Sequence, residues 1–278
     1  KLISLILSNE YTFFIFLMIL TAFPVGFFAG FFGIGGGLIT VPFLFFIFES
    51  LNVDPNYLMH LAVGTSFSII IPTSGVSVFT HKKHNAVNLS IIKSYGLFVI
   101  LGVLSGTIFA AALDTKSLLL FFTVIVYFLG AYLLNLKDKA SKIKANFNLL
   151  PRVVFGFASG FISAPMGIGG AVMNVPILRY FGYPINKAIG SAAAIGLIIA
   201  SFGAIGFLIT GSYLNVNLPL SIGFINIPAF LIFIPITMFM ARVGANMVHK
   251  LNKSKIQKFF GIFLYVVGTI FLYRYLVI

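Results

Sequence analysis

Cysteine and tryptophan are absent from this chain, and only five of its 278 residues are acidic. The lack of cysteine excludes disulfides, thiol nucleophiles and thiolate metal sites. The shortage of acids leaves no Asp or Glu in the middle of any long apolar stretch, so we do not expect an intramembrane carboxylate relay for protons. Without intramembrane acids, cysteines or paired histidines, we expect no catalytic residues and no enzymatic activity.

The residues that are present are typical of an integral membrane protein. Hydrophobic residues make up 60% of the chain and charged residues 8%, against roughly 25% charged residues in soluble domains. The formal net charge is +13, which we attribute to basic cytoplasmic loops rather than to nucleic-acid binding. We therefore expect a multi-pass protein of the cell (inner) membrane, with the lipid bilayer as a partner, no nucleic acid and no cofactor.

One motif occurs twice. GFFAGFFGIGGGLITVP spans 26–42, and GFISAPMGIGGAVMNVP spans 160–176, which begins 134 positions later. The blocks at 62–66 and 188–192 are similar at an offset of 126. Matches at an offset of 138 continue the pattern: Gly106 with Gly244, Phe121 with Phe259, Tyr127 with Tyr265 and Gly130 with Gly268. Because the offsets change only between segments, as loop insertions would require, we interpret the chain as an internal duplication.

Apolar stretches define the expected segments. They cover 11–32, 36–48, 58–80, 91–112, 117–135, 150–165, 168–181, 188–210, 223–248 and 256–277. Most approach the roughly 20 residues that span a bilayer, whereas the short ones flank the Gly-Ile-Gly-Gly turns as half-helices or tilted hairpins. The sequence thus predicts an all-α polytopic membrane protein with 8–10 membrane segments, divided into a first repeat (1–135), a basic linker (136–150) and a second repeat (151–278).

Loop charges indicate the orientation of the two repeats. If each glycine-turn unit crosses the membrane once, the basic residues divide almost evenly between the two sides. If each unit is a hairpin that returns to its own side, fifteen of the eighteen basic residues lie in or beside loops 81–90, 136–150, 182–187 and 249–255. The positive-inside rule favours the second arrangement. It predicts inverted repeats of about five segments each, with these loops cytoplasmic and both termini outside.

The glycine turns are the first candidate binding site. Broken backbone in hydrocarbon leaves unpaired N–H and C=O groups, and transporters use such breaks to bind substrates between repeats. A turn that exposes N–H groups at the start of a helix favours an anion. The alternative is that these glycines only permit close helix packing. The candidate glycines are Gly33, Gly35, Gly36, Gly167, Gly169 and Gly170.

Short polar side chains form the second set of candidates. Thr65 and Ser66 begin one helical segment, and Ser191 occupies the matched position in the other repeat. Their hydroxyls can donate to an anion without a charge that traps it, or they can bond to the backbone of a neighbouring helix. Thr40 and Asn174 occupy matched positions just after the glycine turns, and a buried amide such as that of Asn174 requires hydrogen-bond partners.

The few histidines carry no metal-binding pattern, so no metal site is predicted. His60 could line a path, and His81 and His84 flank two lysines. A role in proton coupling is open for each, but we favour solvated interfacial side chains. For Arg242 we favour snorkelling to the cytoplasmic interface over an anion-attracting charge inside the bundle.

The paired G-x-x-x-G-x-x-G-I-G-G-G-x-x-x-V-P pattern, followed by Ala-Val-Gly-Thr-Ser at 62–66, resembles the sulfite exporter TauE/SafE family of permeases. The resemblance covers almost the whole chain. It implies transport of sulfur-containing anions such as sulfite, sulfoacetate or other organosulfonates, with the glycine turns and the hydroxyls of 65–66 and 191 along the substrate path. The second copy departs from the pattern at Ala171 and Ala192, which puts exact symmetry of ligand contacts in doubt.

These observations favour a secondary transporter for a small anion that works by alternating access. A coupling ion, proton or sodium, and a homo-oligomeric state are left open. The alternatives are a membrane scaffold or assembly protein without transport activity, and a transporter of an unrelated small solute.

Overall fold

A computed structural model describes residues 9–32, 36–135, 147–214, 216, 218, 220–247 and 253–277. The helices within these ranges are α1 (Asn9–Phe32), α2 (Gly37–Ser50), α3 (Leu58–Lys83), α4 (Leu89–Ala111), α5 (Thr115–Asn135), α6 (Leu149–Met166), α7 (Ala171–Tyr180), α8 (Ile185–Tyr213), α9 (Ile227–Met247) and α10 (Lys253–Val277). All except α2 and α7 are long and apolar enough to cross a membrane. The prediction of an all-α polytopic membrane fold is confirmed.

Helices α1 and α2 form a hairpin around the first glycine turn. Phe32, at the end of α1, stacks on Phe260 early in α10, with ring centroids 5.3 Å apart. Glu49, at the end of α2, pairs with Arg274 late in α10 at 2.9 Å. Because α10 is a continuous helix, α2 runs along it from Phe260 towards Arg274. A Cβ on Gly36 would lie 2.9 Å from Val25 Cγ1, so the chain folds back against α1 at this turn.

Helices α6 and α7 form the matching hairpin around the second turn. Phe181, directly after α7, lies 5.9 Å from Phe155 near the start of α6 and 4.4 Å from Phe147 just before it. The predicted short segment at 150–165 is therefore a helix of 18 residues, long enough to cross a membrane. In each hairpin only the second helix, α2 or α7, is too short to cross a membrane.

Helices α5 and α10 are matched by the 138-residue offset, and they pack antiparallel. The rings of Tyr127 and Tyr265 lie 5.5 Å apart, and the Tyr127 hydroxyl is 2.9 Å from Thr269 Oγ1. Leu134, near the end of α5, lies against Gly261, early in α10. Later residues of α5 thus meet earlier residues of α10, which is the geometry of antiparallel helices.

Two further interfaces exchange when the repeats are exchanged. Gly26 of α1 lies so close to α9 that an added Cβ would come within 2.6 Å of Thr237 Cα, and Gly160 of α6 lies equally tightly against Val99 of α4. Gly26 and Gly160 are matched positions, as are Thr237 and Val99. Small residues at these crossings allow backbones to approach closely, as is usual for helices in membranes.

One end of the bundle is acidic. Glu49, Asp54 and Asp114 lie there with Arg274, and we call it the acidic end. Asp114 precedes α5 and accepts the Ser117 N–H at 2.8 Å, as an N-cap residue does. Hydrogen bonds from Ser117 lower the pKa of this exposed carboxyl.

The opposite end is basic, and we call it the basic end. It contains the end of α3, the start of α4 and the end of α9, with exposed Lys82, Lys83 and Arg242. Arg152, near the start of α6, lies over the Phe147 ring at 5.3 Å on the same end.

Two details differ from the sequence-based expectations. The apolar stretch at 223–248 is not one helix, because Ser221–Ile222 and Ile225–Asn226 form a β-hairpin in which Gly223 has φ +55°. This hairpin connects α8 to α9 and packs mainly against α3 and α8.

The interpretation of the histidines as solvated was wrong for two of them. His60 is buried with Nε2 3.2 Å from Ala110 O, and His81 is buried with Nε2 3.3 Å from Gly30 O. Each ring bonds a helix carbonyl on a neighbouring segment. Of the three histidines that the structure describes, only His84 is exposed.

Candidate functional site

The two glycine turns take backbone conformations that favour glycine. Gly36 (φ +85°) and Gly170 (φ +65°) immediately precede α2 and α7, and Gly167 (φ +62°) immediately follows α6. A left-handed residue with a side chain would be strained at each position. The turns therefore begin two helices inside the bundle, and the first N–H groups of a helix have no intrahelical acceptor.

The start of α2 crosses the second glycine turn at backbone contact. A Cβ added to Gly37 would collide with Gly167 O and lie 2.8 Å from Ile168 Cα. On the other side of the same turn, a Cβ on Gly196 of α8 would lie 2.4 Å from Gly169 O, which real side chains do not tolerate. The second turn is consequently held between α2 and α8.

Hydroxyls bond the backbone of both turns. Ser66 Oγ of α3 donates to Gly167 O at 2.9 Å, and Thr40 Oγ1 donates to Gly36 O at 3.1 Å. Both side chains are fully buried. Ala192, which matches Ser66 in the second repeat, has no hydroxyl, so this bond exists for only one turn.

Asn174 is the most connected polar side chain of the region. Its Oδ1 accepts hydrogen bonds from the Tyr95 hydroxyl at 2.8 Å and from Ser159 Oγ at 3.0 Å, and its Nδ2 donates to Gly170 O at 2.8 Å. The amide therefore ties α4 and α6 to the start of α7. Thr40 makes the equivalent bond to Gly36 O in the first repeat.

Thr65 and Ser191 form the same joint in the two repeats. Thr65 Oγ1 accepts the Asn226 N–H at 2.9 Å, just before α9 begins. Ser191 Oγ accepts the Asn88 N–H at 3.0 Å, just before α4 begins. The two pairs occupy positions that the repeat offsets match. In each joint, a hydroxyl of one repeat holds the start of a helix in the other repeat.

The structure thus brings most of the predicted residues to the crossing of the turns, whereas two lie at the joints. At the crossing are Gly36, Thr40, Ser66, Gly167, Gly169, Gly170 and Asn174. The joint residues are Thr65 and Ser191. Gly33 and Gly35 lie outside the described residues. The sequence reasoning missed Tyr95, Ser159, Asn88 and Asn226, although the 138-residue offset that matches Asn88 with Asn226 was a signal for that pair.

Ser163 is a further residue that the sequence reasoning missed. Its Oγ is fully buried and has no hydrogen-bond partner among the described residues. It lies 3.0 Å from the position that a Cβ on Gly170 would occupy. An unpaired buried hydroxyl costs about 1–3 kcal/mol, so Ser163 is a candidate for a hydrogen bond to a ligand beside the start of α7.

The site is neutral rather than acidic or metal-binding in character. Its described side chains are hydroxyls, an amide and glycines, and no group of three or more His, Asp or Glu lies together in the described part of the chain. These described side chains include no carboxylate that would attract a cation.

Comparison with known proteins identifies the family. The family model described as sulfite exporter TauE/SafE matches residues 18–271. The chain belongs to the sulfite exporter TauE/SafE family.

Curated relatives agree with this assignment. A probable membrane transporter protein of Haemophilus influenzae is 34% identical over 92% of this chain and 97% of its own length. A probable membrane transporter protein of Methanocaldococcus jannaschii is 28% identical over 96% of this chain and 98% of its own length. No solved structure matches the chain. The protein is a multi-pass membrane transporter.

Proposed function

We propose that the protein carries a small oxyanion, sulfite or an organosulfonate such as sulfoacetate, and binds it where the two glycine turns cross. The observation that carries the proposal is the unpaired, fully buried Ser163 hydroxyl beside the start of α7. The α2 and α7 N-termini add N–H donors and the positive ends of their helix dipoles.

A site made of neutral donors suits a substrate that must be released. A buried Lys or Arg would bind an anion strongly and hold it, whereas hydroxyl and N–H groups stabilise it through shorter-range hydrogen bonds. Ser163 Oγ can donate without breaking an existing bond. Ser66 and Thr40 already donate to the turn carbonyls, so in our proposal they shape the site.

The proposed transport cycle uses inverted repeats and alternating access. The antiparallel packing of α5 and α10 supports the inversion, as do the interfaces that exchange when the repeats are exchanged. In such a protein, exchange of the two repeats' conformations exchanges the inward-open and outward-open states. The matched joints at Thr65 and Ser191 are the contacts we expect to differ between those states.

Transport by purified protein in liposomes tests the proposal. We expect uptake of labelled sulfite or sulfoacetate, and we expect Ser163→Ala to lower the uptake rate at least tenfold, since a lost hydrogen bond to a charged group costs about 1.5–3 kcal/mol. The free energy of unfolding should stay the same or rise, because the variant removes an unpaired hydroxyl.

Ser201→Ala is the matched control. Ser201 Oγ donates to Leu197 O of its own helix at 2.9 Å, so this change should leave uptake unchanged. Wild-type uptake by Ser163→Ala would contradict the proposed site. Absence of uptake for every tested sulfur oxyanion would overturn the substrate class.

We further propose that the basic end is cytoplasmic and that both termini are outside, in the cell (inner) membrane. The chain has no cysteine, so single cysteines can be introduced without a background. Ala112 lies exposed between α4 and α5 at the acidic end, and Lys82 lies exposed at the basic end.

On intact cells, a membrane-impermeant maleimide should label Ala112→Cys, while Lys82→Cys should react only after permeabilisation. The reverse pattern would show that the orientation is inverted. Equal labelling of both variants in intact cells would contradict a fixed orientation.

A further inference from the structure

A cavity of about 560 Å³ lies between α3 and α9 at the basic end, away from the glycine crossing. Its wall is apolar and includes Pro72, Val76, Phe79 and Met238. The Phe79 side chain is 61% exposed, so this wall continues onto the outer, lipid-facing surface of the bundle. The cavity is therefore a groove that opens sideways.

Two cationic side chains lie at the mouth of this groove, one on α3 and one on α9. Lys83 of α3 and Arg242 of α9 both line it, and both are exposed. Lys83 Nζ lies 4.6 Å from the centre of the Phe79 ring. Among the described residues neither cation is paired with a carboxylate, since Glu49, Asp54 and Asp114 all lie at the acidic end. Within the described part of the chain, the mouth therefore carries two positive charges without a carboxylate partner.

Packed side chains separate the groove from the bundle interior. The Thr73 hydroxyl donates to Thr237 Oγ1 at 2.8 Å, and both residues are fully buried. This bond joins α3 to α9 behind the groove. A ligand in the groove is thus reached from the bilayer and not from the glycine crossing.

Space remains inside the groove. A Cβ added to Gly75, which lines it, would meet no atom within 4 Å. Elsewhere the glycines of α3 and α9 are in close contact, as Gly64 is with Phe224 O and Gly244 with Phe27 O. Close packing is the rule in protein interiors, so open space beside Gly75 leaves room for a ligand.

The matched helix pair of the other repeat carries no such charge. The repeat offsets place Ile209 opposite Lys83 and Leu104 opposite Arg242. Both apolar residues lie on α8 and α4, which pack together as α3 and α9 do. Packing of this helix pair therefore does not require cations, and Lys83 and Arg242 serve something specific to one face of the membrane.

We propose that this groove binds an anionic glycerophospholipid. The phosphodiester headgroup lies between Lys83 and Arg242, and an acyl chain lies along Val76, Phe79 and Met238. An apolar wall that is continuous with the lipid-facing surface matches an acyl chain, and paired cations at the membrane interface match a phosphate group. Lipid binding in this groove does not depend on which substrate the protein transports.

The test measures the thermal unfolding of purified protein in detergent with added lipid. Phosphatidylglycerol should raise the apparent melting temperature by roughly 5–10 °C at a hundredfold excess over the dissociation constant, and phosphatidylcholine should give a much smaller shift. The double variant Lys83→Gln with Arg242→Gln should lose the difference between the two lipids. Lys82→Gln is the matched control, because Lys82 is exposed on the same helix turn but does not line the groove, and it should keep the difference.

Gly75→Leu tests the apolar part of the groove without a change in charge. It should fill the space and abolish the phosphatidylglycerol shift while the lipid-free melting temperature stays at or above that of the wild type. Loss of the shift in Lys82→Gln as well would show nonspecific charge attraction and overturn the proposal. A shift of equal size with glycerol phosphate would show that a soluble anion, not a lipid, occupies the site.

Discussion

Gly37→Ala should lower the free energy of unfolding by about 1–3 kcal/mol, the usual cost of overpacking, and should abolish transport. The added methyl group would collide with Gly167 O and lie 2.8 Å from Ile168 Cα. Both are backbone atoms of the second glycine turn, which cannot rotate away as a side chain can. The crossing must therefore open, and under the proposed function the substrate position opens with it.

Gly75→Ala is the matched control for this prediction. It is the same substitution in a helix, at a position where the new Cβ meets nothing within 4 Å. Alanine is the better helix former by up to about 1 kcal/mol, so stability should stay equal or rise. Reversible unfolding monitored by circular dichroism in detergent micelles measures both variants. Equal behaviour of the two would mean that the turns do not touch.

A second variant, Gly196→Ala, tests whether the second glycine turn is held between α2 and α8. Gly196→Ala presses on Gly169 O from α8, whereas Gly37→Ala presses on Gly167 from α2. When one added methyl group displaces the turn, the turn moves towards the second added methyl group. We therefore expect the double variant to lose more stability than the sum of the single losses, since contacting sites couple by about 0.5–3 kcal/mol. Additive losses would argue against a turn held between the two helices.

The membrane fold was predictable because its signals are local. Apolar length gave the helices, and paired Gly-Ile-Gly-Gly sequences gave the turns, where Gly36, Gly167 and Gly170 do take positive φ values. The β-hairpin at 221–226 was missed because its apolar residues are continuous with those of α9. That hairpin also explains the error about His60, whose ring lies 5.0 Å from the Phe224 ring and is covered by it.

The partners of the polar side chains were not predictable in the same way. The sequence indicates that Thr65 and Ser191 need hydrogen bonds, but their partners, Asn226 and Asn88, are more than one hundred residues distant. From the sequence alone, a hydroxyl that accepts a backbone N–H cannot be distinguished from one that binds a substrate. Their assignment to substrate binding stays a prediction, and Ser163 became a candidate only because its missing partner is visible in three dimensions.

Asn174 should carry the largest side-chain contribution to the stability of the site. Its three hydrogen bonds have different partners, so variants can separate them. Asn174→Thr recreates the first repeat, where Thr40 Oγ1 donates to Gly36 O at 3.1 Å. The variant should keep the bond to Gly170 O but lose the acceptor for Tyr95 and Ser159.

We expect Asn174→Thr to cost about 1–3 kcal/mol, since one buried hydroxyl is then left unpaired. That hydroxyl belongs to Ser159, because the Tyr95 hydroxyl keeps Phe155 O at 3.0 Å. Asn174→Val should cost a further 1 kcal/mol or more, roughly the value of a hydrogen bond, because the side-chain bond to Gly170 O is lost as well. Uptake should fall in the same order, since the Gly170 bond aligns the start of α7.

Removal of the unpaired group should reverse part of the loss. Ser159→Ala in the Asn174→Thr background takes away the hydroxyl that has lost its acceptor, so the double variant should be more stable than Asn174→Thr alone. Thr40→Val serves as the control in the first repeat, because it removes only the bond to Gly36 O and should cost about 1 kcal/mol. If Ser159→Ala lowers stability equally in both backgrounds, the two side chains are not coupled, and the amide network does not hold α6 to α7.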